Sequence, residues 1–68
     1  MNARVAVDVN REMVVELFES AKELSILKGI SINDAIDYKV SLYEKHSKSN
    51  NEAVAWYLRG EDAKKMII

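Results

Sequence analysis

Between Arg4 and Val9 the chain alternates, with Val5, Val7 and Val9 on one side and Arg4, Ala6 and Asp8 on the other. Successive side chains of a strand point to opposite faces, so this period of two predicts a strand with an all-valine face. After Asn10 the period changes. Val14, Leu17, Ala21, Leu24 and Leu27 recur at spacings of three and four, the stripe of an amphipathic helix from about Arg11 to Lys28. Met13, Phe18 and Ile26 are read as widening that stripe. Asn10 suits the N-cap, and Gly29 suits the stop, where a left-handed residue closes a helix.

A second helix is predicted from about Ile32 to His46, with Ile32, Ala35, Ile36, Val40 and Tyr43 on its apolar side. Ser31 is its expected N-cap and Asp34 the acidic member of a capping box. A polar break, Ser47 to Asn51, separates it from a third capping pattern, Ser49-Asn50-Asn51-Glu52. A short helix is expected there, burying Val54, Tyr57 and Leu58 and ending at Gly60. Glu61 to Ile68 reads as a last turn or a tail, with Met66, Ile67 and Ile68 packed on something rather than left in water.

One strand with no second strand leaves its backbone N–H and C=O groups unpaired along both edges. The simplest remedy is the same strand from a second copy, which predicts a homodimer. Size agrees with this. A domain of 68 residues buries only about 60% of its unfolded surface and is marginal alone. A composition 49% hydrophobic and 31% charged suits a small chain that hides apolar surface in an interface.

Composition narrows the chemistry. There is no Cys and one His, so neither a disulfide brace nor an N/S-ligand zinc site is supportable. No nucleophile–base pair, Gly-rich phosphate loop or metal cluster stands out, so no enzymatic activity and no cofactor are expected. His46 near a helix end is read as a dipole-favoured cation, and Glu16, Glu19 and Glu23 as a solvated face. No apolar run approaches the roughly 20 residues that cross a bilayer, and an intracellular protein is the expectation.

Alternating valines before a capped helix, then Gly29-Ile30-Ser31-Ile32-Asn33-Asp34 leading into a second amphipathic helix, together resemble the ribbon-helix-helix family of DNA-binding proteins. The likeness covers Arg4 to His46, about two thirds of the chain. It implies a mostly α fold with one N-terminal β-strand: an intertwined homodimer sharing a two-stranded antiparallel ribbon, with an extra C-terminal helix. Residues 1–48 would form the dimerising and DNA-binding domain and 49–68 a helical extension packed on the dimer core. Val5, Val7, Val9, Val14, Leu17, Ala21, Ile36 and Val40 would make that core.

In such a dimer the ribbon enters the major groove of double-stranded DNA, which is wide enough to admit it. Arg4, Ala6 and Asp8 would face the bases: Arg4 can contact a guanine, Ala6 a thymine methyl, Asp8 a cytosine amino group. Ser31, Ile32 and Asn33 would anchor a phosphate on the start of the second helix, with Arg11 and Lys28 adding backbone contacts. The implied function is a homodimeric transcriptional regulator, a repressor of the kind typical of viruses, plasmids and toxin–antitoxin loci. The near-neutral charge, with ten Lys and Arg against eleven Asp and Glu, together with Ala6 and Asp8, favours an alternative. That alternative is a dimeric interaction protein that binds DNA weakly or not at all, or an antitoxin-like module whose residues 50–68 bind a partner protein.

Overall fold

The computed structural model describes residues 10–67. They form three helices: α1 (Arg11–Lys28), α2 (Ile32–Lys45) and α3 (Asn50–Lys64). Each starts on a side-chain cap. Asn10 Oδ1 accepts from the Met13 N–H at 3.2 Å, Ser31 Oγ from Asp34 at 3.0 Å and Ser49 Oγ from Glu52 at 3.1 Å. These bonds satisfy donors that the first helical turn leaves without partners. At α3 the Glu52 carboxylate also reaches back and accepts from the Lys48 N–H at 2.8 Å.

α1 ends on Gly29, which takes a left-handed conformation with φ 67°. The N–H groups of Gly29 and Ile30 both donate to the Ser25 carbonyl, at 2.9 and 3.2 Å. The Ser25 hydroxyl donates in turn to the Ile30 carbonyl, tying the turn shut. The chain therefore reverses within a few residues and lays α2 back against α1. α2 and α3 also run antiparallel, with Tyr43 meeting Trp56 at one end and Asp37 meeting Lys64 at the other.

The core lies between the three helices. α1 supplies Val14, Leu17 and Ala21, α2 supplies Ala35, Ile36 and Val40, and α3 supplies Ala63, with Phe18, Leu24, Ile30, Ile32, Tyr43 and Met66 packed around them. α3 packs on both other helices. Its inward side is made of small residues, Ala55, Gly60 and Ala63, together with Arg59. Small residues let helix backbones approach closely. At Gly60 there is no room for a β-carbon beside Val40.

This architecture corrects the expected fold. Among the described residues there are three helices and no strand, so the intertwined ribbon-helix-helix dimer is not the arrangement found. The predicted strand Arg4 to Val9 lies outside the described residues. The physical reason is α3. A sequence reading weighted toward large apolar side chains makes it a short appendage on Val54 and Tyr57. Those two are exposed, and the helix instead turns its narrow, small-residue side inward. A third helix running unbroken through Gly60 to Lys64 closes the core of α1 and α2 within one chain. Val14, Leu17 and Ala21 of α1 and Ala35, Ile36 and Val40 of α2 are therefore buried within the one chain.

Candidate interaction surface

The surface that stands out is on α1. Ile26 and Leu27 are 81% and 83% exposed, although they lie on a helix that supplies Val14, Leu17 and Ala21 to the core. Helical geometry explains it. At 3.6 residues per turn, Val14, Leu17, Ala21 and Leu24 share one direction, while Leu27 points about 100° and Ile26 about 160° away. Both were read as part of the buried stripe, and the structure corrects that reading. The spacing of Leu27 from Leu24 is right, but the stripe has already drifted off the core by the last turn.

Ile26 and Leu27, with Glu23, line an open hollow of about 320 Å³. A second hollow, of about 250 Å³, opens on the same helix nearer its start. Met13 and Leu17 form one wall, Tyr43 and Trp56 the other, and Glu16 and Ser20 complete the lining. The Tyr43 and Trp56 rings lie 4.3 Å apart between centroids and are tilted by 34°. The Arg59 guanidinium lies 4.6 Å from the Trp56 ring centroid, in range of a cation–π contact. The indole thus contacts both Tyr43 and Arg59 at the wall of this hollow.

A third depression lies between the start of α1 and the end of α3, lined by Arg11, Val14, Asp62, Lys65 and Met66. The Lys65 ammonium is 3.7 Å from the Asp62 carboxylate, so its charge is partly matched within the site. That leaves a weaker anion site than Arg11 and Lys65 alone would make.

The expected DNA-contacting residues divide as follows. Arg4, Ala6 and Asp8 lie outside the described residues, as do Val5, Val7 and Val9. Ser31 and Asn33 are exposed at the start of α2, where Ser31 serves as the cap, whereas Ile32 is half-buried against the core. Arg11 and Lys28 occupy opposite ends of α1, which at 1.5 Å per residue is about 25 Å apart. They cannot meet the same phosphate from one chain. Lys28 instead sits over the Tyr38 ring, 5.4 Å from its centroid. Val14, Leu17, Ala21, Ile36 and Val40 are buried in the core of the single chain.

No group of His, Asp and Glu among the described residues is placed to hold a metal ion. His46 is exposed at the C-cap of α2. No helix among the described residues is long and apolar enough to cross a membrane. No family model matches the chain, and neither any curated protein nor any solved structure matches it.

Proposed function

We propose that the chain is a non-catalytic protein-interaction module that presents α1 to a partner protein. The observation that carries this reading is the exposure of Ile26 and Leu27, at 81% and 83%, beside a core that the chain has already closed. Burying an Ile or Leu side chain is worth about 1.5–3 kcal/mol. Two adjacent ones held in water on a rigid helix therefore represent binding energy not used in folding. α3 supports the same placement, because its inward side is committed to α1 and α2 rather than to a partner.

The test is a photo-crosslinking side chain at position 27, with position 41 on exposed α2 surface as control. The expected result is a discrete protein adduct from 27 alone. The captured protein, purified, should bind at least about tenfold less tightly to Leu27→Glu, a loss of roughly 1.4 kcal/mol. Equal adducts from both positions, or none from 27, would sink the reading.

A homodimeric DNA-binding regulator is the second reading. It is favoured by the Gly29–Ser31 turn, one of the segments that carry the family resemblance, with Ser31 capping α2 and leaving the helix start exposed to solvent. Such a protein would present the first N–H groups of α2 to a phosphate. Selection from a random duplex pool at low salt decides it: an enriched site whose affinity falls steeply with salt supports the regulator. No enrichment removes it.

A further inference from the structure

The two hollows on α1 lie on one line. Met13, Glu16, Ser20, Glu23 and Leu27 follow spacings of three, four, three and four, the seam along which one helix receives another. All five line one hollow or the other. Ser20, in the middle, is small enough to let a second helix come close. The seam runs over 15 residues, about 21 Å between its ends, which is the contact length of a four-turn helix.

The carboxylates choose the occupant. Glu16 and Glu23 stand two turns apart, about 10.5 Å along the axis, and both are exposed. Among the described residues neither has an ion-pair partner within 4.0 Å; the one pair within α1, Lys22 with Glu19 at 3.8 Å, has its lysine well round the helix from the seam. Glu12 extends the acidic row toward the helix start. A second copy of α1 laid on this seam would bring four carboxylates into one interface, and like-charge juxtaposition costs several kcal/mol. The fully exposed lysines of α2 and α3 sit singly at their ends, Lys45 on α2 and Lys65 at the cap of α3, among exposed Asp34, Asp37, Glu52 and Glu61, so neither helix sets a pair of exposed lysines two turns apart against Glu16 and Glu23. The phosphates of a nucleic acid are repelled for the same reason.

We infer that the Met13–Leu27 seam of α1 is a docking groove for a basic amphipathic helix of a partner protein; the inference deepens the interaction-module reading and rests on it. One large apolar side chain of the partner enters the hollow walled by Tyr43 and Trp56. Another, about three turns along, covers Leu27. Lys or Arg side chains between them reach Glu16 and Glu23. Helix-in-groove recognition of this kind reads its anchors at helical spacing.

The chain has a single tryptophan, Trp56, and it lines the groove, so its fluorescence reports occupancy directly. The probe is an alanine-based helical peptide of about 18 residues, carrying two leucines three turns apart and lysines on the same face between them. The expected result is a saturable change in Trp56 emission. Affinity should fall at least about tenfold in the Glu16→Lys/Glu23→Lys protein and in Leu27→Glu, each checked by circular dichroism for an unchanged helix. A peptide of the same composition in scrambled order should bind at least about tenfold more weakly.

Equal binding of the scrambled peptide, or affinity untouched by the charge reversal, overturns the inference. A dimer in sedimentation equilibrium that dissociates on Leu27→Glu also overturns it, by placing a second copy on the seam. If the peptide fails while position 27 still crosslinks one discrete protein, the partner class is wrong and the interaction module stands. If both are silent, both fall.

Discussion

Gly60 of α3 lies so close to Val40 of α2 that a β-carbon added to it would stand 2.5 Å from a Val40 methyl. Glycine in a helix interior costs up to about 1 kcal/mol relative to alanine. Its presence there is explained by the close crossing of the two helices, which seats α3 on the core. The same contact shows why Gly60 does not stop the helix. Its backbone is helical, and α3 continues to Lys64.

Gly60→Ala is therefore expected to destabilise the chain. The gain in helix propensity, under about 1 kcal/mol, is opposed by overpacking of about 1–3 kcal/mol, for a net loss on the order of 1 kcal/mol. Val40→Ala removes the methyls that clash, so the double variant should be more stable than the sum of the two single losses. Urea unfolding of the four proteins in this cycle measures the coupling. A stabilised Gly60→Ala would mean that the helices do not cross this closely.

Gly29 tests the opposite case. Nothing lies within 4 Å of a β-carbon built there, yet its φ is 67°. Only the backbone term is in play. Gly29→Ala should cost about 1–2 kcal/mol, the penalty of placing an L side chain in the left-handed region. Gly29→Asn should cost less, because Asn visits that region more readily. Equal thermal midpoints for the Ala and Asn variants would contradict the assigned turn.

These two glycines show how much of the fold could be read beforehand. Caps and stops are local chemistry, so Asn10, Ser31 and Ser49 start the helices where the sequence places them, and Gly29 ends α1. Gly60 offers the same local signal as Gly29, and only the tertiary contact with Val40 distinguishes them. The face of α3 was misread for a related reason. Hydrophobic periodicity weighs Val54 and Tyr57 heavily, whereas the close approach of α2 selects Ala55, Gly60 and Ala63. The candidate surface was not legible. Spacings of three and four put Leu27 in the stripe with Ile26 widening it, and only the position of the core shows that the last turn of α1 has rotated away from it, while the hollow against Trp56 needs α3 in place.

The Lys64 ammonium is 2.6 Å from an Asp37 oxygen and 3.6 Å from a Glu61 oxygen, bridging α3 to α2. The hydrogen bond to Asp37 is the main cause holding the Lys64 pKa above its ordinary value of 10.5, with the negative charges of Asp37 and Glu61 adding to it against a partial desolvation. A raised lysine pKa stabilises the fold while the group is charged in both states. That contribution is complete below the unfolded pKa and is lost as pH rises through the folded one. Asp37 is 55% exposed at its side chain, so the pair is screened and worth about 0.2–1 kcal/mol. Lys64→Met should therefore be less stable than the parent at pH 7. The gap should close as the pH is taken above the folded-state value. Urea midpoints that differ equally at neutral and strongly alkaline pH would remove the ion pair as the cause.

Leu17 and Leu27 sit ten residues apart on α1 with the same side chain and opposite surroundings, 3% and 83% exposed. Leu17→Ala should cost about 2–5 kcal/mol, the range for emptying a packed core site. Leu27→Ala should stay within about 0.5 kcal/mol of the parent, as substitutions away from packed features do. Urea unfolding at several protein concentrations compares them. If Leu27→Ala costs as much as Leu17→Ala, then Leu27 is covered in solution, and the stability of the parent must rise with concentration as association would require. If the loss is large but independent of concentration, the last turn of α1 packs within its own chain and the surface proposed on it does not exist.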